Sequence, residues 1–191
     1  MSRINVDAIN ANEFALVYNW NLRIDLLPVL PGLDSSKYTG TNGILNVNCT
    51  SADLPRSEVR PVNMMIRGLQ ARQSGGHVAV PNITLNFVER REWTISKLFE
   101  TWKDYIFDKT AGTGNRKNGV DGAQGYAVDY IMLELLTESD NDPAPQVSYK
   151  LRYAFPENVQ YQQLGSEPAT VATTTVTFGF ATFEKLYGQS F

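Results

Sequence analysis

Histidine and cysteine are nearly missing from this 191-residue chain, which contains one of each. His77 alone cannot build an imidazole metal cluster, and a Ser/His triad around it would need partners from distant parts of the sequence. Cys49 permits no internal disulfide, and in an alternating segment it is expected as a small core residue, not a nucleophile. Also lacking is any apolar run near the roughly 18 to 20 residues that a bilayer helix needs. Met1 to Asn12 has no apolar core of the signal-peptide kind, so the expectation is no membrane insertion and a product that stays in the cytoplasm of the cell that makes it. Charge is sparse, with 19% of residues charged and a net charge of −3. That leaves no dedicated basic surface for gripping nucleic acid. With 42% hydrophobic residues, the composition excludes disorder, and the length fits a single domain over residues 1–191.

What is present is mostly alternation. Asn19 to Leu26 places Trp20, Leu22, Ile24 and Leu26 on one face and Asn19, Asn21, Arg23 and Asp25 on the other, an amphipathic strand stopped by Pro28. Ile44 to Ala52 is expected as a further strand, ended by Leu54-Pro55. Val62, Met64 and Ile66 continue the alternation toward Ser74-Gly75-Gly76, where a turn holding His77 is expected. Ile83, Leu85 and Phe87 line another strand. Tyr126 to Leu136 is apolar on both faces at Ile131-Met132-Leu133, which implies burial on both sides. From Gln146 to Tyr153, Val147, Tyr149, Leu151 and Tyr153 oppose Ser148, Lys150 and Arg152. Pro156 lacks a ladder donor, so that strand must end or bulge there. Val171 to Phe183 is read as one final strand with Val176, Phe178 and Phe180 on one face.

One segment departs from period 2. Ile95, Leu98, Phe99, Trp102 and Ile106 are spaced 3, 1, 3 and 4, which places them on one stripe of a helix from Thr94 to Phe107. Thr94 is expected to cap its start. The fold class that follows is mainly β: an antiparallel β-sandwich or barrel of two packed sheets with one flanking α-helix.

Chemistry is hard to place. Gly112 to Gly119 superficially suggests a phosphate cradle, but it follows a helix and lacks the Gly-Lys-Ser/Thr order. Glu89 and Glu92 flank Arg90-Arg91 and are expected as a surface ion-pair cluster. Glu134, Glu138, Asp140 and Asp142 are expected in a solvated strand end and loop. The aromatic residues fit core periodicities and do not form a stacking platform beside cations. No catalytic residue, cofactor site or metal site is expected, and the chain is not read as an enzyme.

The strand before Ala154-Phe155-Pro156, that corner itself, and the strand Thr175-Val-Thr-Phe-Gly-Phe-Ala-Thr-Phe183 together resemble the C-terminal signature of tail tube proteins of contractile-tailed bacteriophages. Leu54-Pro55 after the Cys49 strand, Ile83 to Phe87 and the helix Trp93 to Phe107 extend the resemblance over roughly residues 14 to 187. Beside the family pattern, 1–13 stands as an N-terminal arm and 28–42 and 108–125 as inserted loops. The resemblance implies a structural subunit that forms hexameric rings, stacked into a tube that conducts DNA without binding it specifically. It also implies a place in the virion after assembly in the host cytoplasm, with tail sheath and baseplate proteins as partners. Alternatives are the baseplate tube initiator, a secretion-system tube protein of the same fold, or, from another class, a monomeric β-barrel binding module. Arg56, Glu58, Arg60, Arg67 and Arg72 are candidate ring-stacking residues, because the family's hairpin after the Leu-Pro turn reaches from one ring to the next; its tip is expected at Gln70 to Gly76. The final strand carries no charge or proline from Val171 to Phe183, and is expected as the unprotected edge through which rings close. Asp25, Asp129 and Glu134 are the carboxylates considered for the lumen.

Overall fold

The computed structural model describes residues 19–24, 27–28, 30–40, 42–79, 81–108, 112–114, 125–136, 145–162 and 171–188. Strand β1 (Trp20–Ile24) leads through a 3-10 turn at Ser35–Lys37 to helix α1 (Ile44–Asn48), β2 (Cys49–Ala52), and the pair β3 (Ser57–Ile66) and β4 (Leu69–Ala79). Then come β5 (Asn82–Val88), helix α2 (Thr94–Ile106), the two-residue strands β6 (Phe107–Asp108) and β7 (Thr113–Gly114), and β8 (Val128–Leu136). The chain continues through β9 (Pro145–Tyr161), β10 (Thr173–Gly179) and β11 (Thr182–Tyr187). The protein is mainly β, as the alternation indicates.

One strand organises the sheet. β9 is 17 residues long. Its first half pairs antiparallel with β8 and β11, and its second half pairs with β10. The order β1-β8-β9-β10-β5-β2, with β11 also on β9, therefore folds into two layers that share β9. The turn between them falls where Tyr153 takes a left-handed φ of 55° and the β9–β10 register slips opposite Thr177 and Phe178. Pro156 accordingly sits at a bulge and not at a strand end. Tyr153 is turned to solvent by this corner, away from the face of Leu151, contrary to the period-2 expectation.

Between the layers lies one core. Leu22, Ile24, Ile131, Leu133 and Leu151 come from the first layer, and Ile83, Leu85, Phe87, Val176 and Phe178 from the second. Helix α2 lays Ile95, Leu98, Phe99 and Trp102 into the same cluster, all fully buried, with Ile106 at its margin. Phe99 packs edge-on against Phe178 at 5.7 Å between ring centres, and Trp102 does so at 6.1 Å. Burying each such side chain contributes about 1.5–3 kcal/mol, which makes the stripe the main anchor of the helix. Leu30 and Tyr38 are also buried in this cluster, so the 28–42 segment contributes to the core at those positions.

Several expectations are corrected. Residues 44–52 do not form one strand: Ile44–Asn48 is helical, held by Asn48 Nδ2 donating to the Ile44 carbonyl at 2.8 Å. A run this short carries no decisive period, and tertiary placement settles it. Gly75, Gly76 and His77 lie inside β4, and the turn is the two-residue Arg67-Gly68, with φ of 50° and 79° as a type I′ hairpin requires. Thr94 is the first helical residue and not the cap; Trp93 occupies the cap position with a left-handed φ of 52° and no side-chain cap bond. Finally, Val171 to Phe183 is not one strand. It breaks at Phe180-Ala181 into β10 and β11, which belong to different layers. Residues 1–13 and most of 108–125 lie outside the described residues.

Candidate assembly surfaces

A sheet that stops leaves backbone donors and acceptors unpaired, so its edges are where another chain attaches. β10 is not such an edge, because it is bonded to β5 on one side and β9 on the other. The Thr/Phe-rich segment expected to be exposed is the best-paired part of the second layer. The open edge is β11. It keeps one register with β9 from Thr182 to Tyr187, and Gly188 N–H donates to the Gln146 carbonyl at 2.9 Å. In an antiparallel ladder, that bond puts the N–H groups of even-numbered positions toward β9 and those of Phe183, Lys185 and Tyr187 outward. Among the described residues nothing accepts them.

The far edge of the first layer is β1, and it is guarded at its centre. Leu136 N–H donates to the Asn19 carbonyl, so Leu22 N–H points away from β8, where Asn46 Oδ1 of α1 accepts it at 2.8 Å. β2 is short and carries a register slip between Cys49 and Ser51, which blunts the edge of the second layer. Burial pushes the Cys49 thiol up to about 12, so it is a packed residue and a poor nucleophile.

β3 and β4 form a two-stranded hairpin joined to no other strand among the described residues. Register places Val62, Met64 and Ile66 opposite Gln73, Ala71 and Leu69, so one face is apolar. It is also bare: Ile66 is 53% and Leu69 76% exposed. The other face carries Asn63 opposite Arg72. Of the five residues expected at a stacking surface, Glu58 and Arg60 lie in β3, Arg67 forms the tip and Arg72 lies in β4, while Arg56 precedes the hairpin; all are exposed. A bulge sits at Arg60, where Gly75 comes so close that a Cβ would overlap the Arg60 carbonyl oxygen. Met64 and Met65 fall on opposite faces.

Glu89 is the residue whose role sequence reasoning missed. Far from joining a surface ion-pair cluster, it is buried beside the start of α2, whereas Arg90, Arg91 and Glu92 are exposed. Its Oε1 accepts from Ser96 N–H at 2.7 Å, from the Thr174 hydroxyl at 2.8 Å, and from the Ser96 hydroxyl. A carboxylate at a helix N-terminus meets unsatisfied N–H groups and the positive end of the dipole. Glu89 thus supplies the cap that Trp93 lacks and ties α2 to β10. An acidic residue a few positions before a helix start is the one sequence signal for such a cap, and the expectation of Thr94 as the cap hid it.

Of the three lumen carboxylates considered, Glu134 is buried in β8 and forms an ion pair with Arg23 at 3.2 Å. Asp129 is half-buried in the same strand, and Asp25, Glu138, Asp140 and Asp142 lie outside the described residues. Among the described residues no three of His, Cys, Asp and Glu converge as a metal site would require. No helix among them is long and apolar enough to cross a membrane.

No curated protein matches the chain in sequence. Among solved structures, it is similar to a chain in the sheath–tube complex of an extracellular contractile injection system in its extended state. Identity is 13%, the TM-score is 0.59, and the match covers 97% of this chain and 99% of that one. A chain of the tube-terminating cap of the anti-feeding prophage matches with 17% identity and a TM-score of 0.56, over 94% and 99%. A type six secretion system protein matches with 10% identity and a TM-score of 0.51, over 89% and 83%. These likenesses establish the fold. The phage tail tube protein family matches residues 12–185, and the chain belongs to that family of structural tube subunits.

Proposed function

We propose that the chain assembles head to tail into hexameric rings and that the rings stack into the tube of a contractile tail, the conduit for DNA ejection. The observation that carries this reading is the open β11 edge on a layer of four strands. In the order β1-β8-β9-β11, β1 and β11 run in opposite directions, because three antiparallel steps separate them. A rotation about an axis along the strands therefore brings β11 of one copy beside β1 of the next in antiparallel orientation, where the outward Trp20 and Ile24 N–H groups flank the Leu22 N–H that Asn46 takes. The contact is heterologous and closes only as a ring, which removes the free edge.

Stacking is assigned to the β3–β4 hairpin. An isolated two-stranded hairpin is marginal in water, and one with a bare apolar face gains by burying that face on another copy. Arg56, Glu58, Arg60, Arg67 and Arg72 supply a polar rim around it, and Met64 adds adaptable contact. Sheath and baseplate proteins of a tail are the further partners, and the virion is the final location.

Negative-stain microscopy and light scattering of the purified chain, without metal, nucleotide or DNA, test the reading. Rings or tubes support it, and a persistent monomer at high concentration overturns it in favour of a monomeric binding module. A tube of an extracellular contractile injection system is the second reading, favoured by the near full-length likeness to the sheath–tube complex. A chain that forms rings but never long tubes is a baseplate initiator.

A further inference from the structure

The first layer has two faces, and ring closure gives them different fates. One face carries Leu22, Leu133 and Leu151 into the core, under the second layer and α2. Among the described residues, the second layer and α2 lie on that side. When such layers join edge to edge in a closed ring, the second layer and α2 have room only outside, and the opposite face turns inward. Register identifies that face: Arg23 is opposite Met132, Met132 opposite Lys150, and Lys150 opposite Glu184, while Tyr130 is opposite Arg152 and Arg152 opposite Thr182.

We propose that this face is the inner wall of the conduit and that its arginines are charge-paired there, each held by a carboxylate on the same face so that a passing polyanionic duplex finds no uncommitted guanidinium. Arg23 pairs with Glu134 at 3.2 Å, and Arg152 Nε pairs with Glu184 at 3.0 Å. Lys150 Nζ stands over the Tyr130 ring at 4.4 Å from its centre. Glu184, by its hydrogen bond and its charge, holds the Arg152 guanidinium above its ordinary range. Met132, between Arg23 and Lys150, and Ser148, opposite Glu134, lie on the same face and are buried.

The contrast with the rest of the surface carries weight. Arg60, Arg72, Arg90 and Arg91 are exposed and have no carboxylate partner among the described residues. Pairing is concentrated where a phosphate backbone would pass. Guanidinium groups bind phosphate bidentately. Cyclic symmetry would repeat any free arginine around every ring, and repeated weak contacts add into strong retention. Internal pairing removes that brake and leaves the wall wettable.

This inference rests on the tube reading, and its test separates the two. The open measurement is co-sedimentation of a short labelled DNA duplex with assembled tubes of the full chain. Glu184→Gln, which leaves Arg152 without its carboxylate, is expected to raise retained duplex at least tenfold over the natural chain at low salt. Raising salt from 50 to 200 mM should abolish the gain, because each phosphate contact releases counterions with a slope of about −0.9. Thr182→Lys, an added cation on the same row, gives the same result if Glu184→Gln assembles poorly. For sidedness, Thr182→Cys rings are labelled with a maleimide-gold particle, and rings of the natural chain, which carries Cys49 alone, are treated in the same way as the labelling control. Gold in the bore supports the wall assignment, and gold on the outer rim overturns it. Gold in the bore with no gain in duplex overturns the role of arginine pairing alone. Absence of rings from the natural chain removes the tube reading and this inference with it.

Discussion

Replacing Trp102 with alanine is expected to remove about 4–5 kcal/mol of stability. The indole is fully buried, lies 6.3 Å from Phe99 and 6.1 Å from Phe178 between ring centres, and fills the middle of the α2 face. Truncating a large aromatic at such a site costs about 3–5 kcal/mol, from lost transfer energy plus the cavity left behind. The upper end applies because Nε1 donates to the Tyr126 carbonyl at 2.7 Å, and that part-buried acceptor loses its partner as well. Trp102→Phe keeps most ring contact and loses the hydrogen bond, so about 1–2 kcal/mol is expected. Domains of this size are held by roughly 5–15 kcal/mol, so Trp102→Ala leaves a weakly folded chain. The assay is urea denaturation at a protein concentration where scattering shows monomer, because assembly stabilises the fold by mass action. A loss below about 1 kcal/mol, or equal losses for the two variants, refutes the packing argument.

Lys185→Pro removes an outward N–H of β11 and spares its backbone bonds to β9, so circular dichroism should stay native while rings disappear from micrographs; Lys185→Ala, which loses the same side-chain contact with Tyr149 and keeps the N–H, should form rings, and normal rings from the proline variant would rule out β11 as the closing edge. Charging the bare hairpin face with Ile66→Lys and Leu69→Lys should leave rings intact and yield discs in place of tubes, and tubes of ordinary length would remove the hairpin from the stacking contact. Glu89→Ala strands the Ser96 and Thr174 donors and should cost about 2–4 kcal/mol in denaturant unfolding, whereas a surface ion-pair residue would cost under about 1. Cys49, with its thiol raised to about 12 by burial, should resist maleimide at pH 8 in the native protein and react promptly in urea.

Much of this was legible in the chain because its strands are half-buried. Trp20, Leu22 and Ile24, or Ile83, Leu85 and Phe87, alternate with polar residues, and a period of two leaves little choice of face. The α2 stripe was equally plain. What failed to show was pairing. Val176, Phe178 and Phe180 alternate and β-forming residues run on through Phe183, yet the chain changes layers at Phe180-Ala181, and local propensity is the same in either layer. The hairpin turn was masked because Arg67, with its positive φ, is an unusual residue for a type I′ position, while Gly75-Gly76 looked like a turn and serves a bulge. Glu89 hid in a cluster of charges, since only the third dimension sets it beneath α2 when its neighbours face water. Nothing in the spacing of Arg23, Glu134, Arg152 and Glu184 reveals that they share one face, because register joins them from four strands.

The sharing of β9 between both layers also sets how the subunit would carry mechanical load. In a sandwich whose layers meet only through side chains, a pull on one sheet is resisted by packing, which yields gradually as contacts slide. Here a single strand, about 55 Å long measured along the chain at some 3.3 Å per residue, runs from the four-stranded layer around the corner into the second, so tension passes along covalent bonds. The hydrogen bonds to β8 and β11 at one end and to β10 at the other would be loaded in shear, many at once. A tube driven endwise by a contracting sheath would be stiffest along that path, and the corner at Tyr153 would be where it first bends.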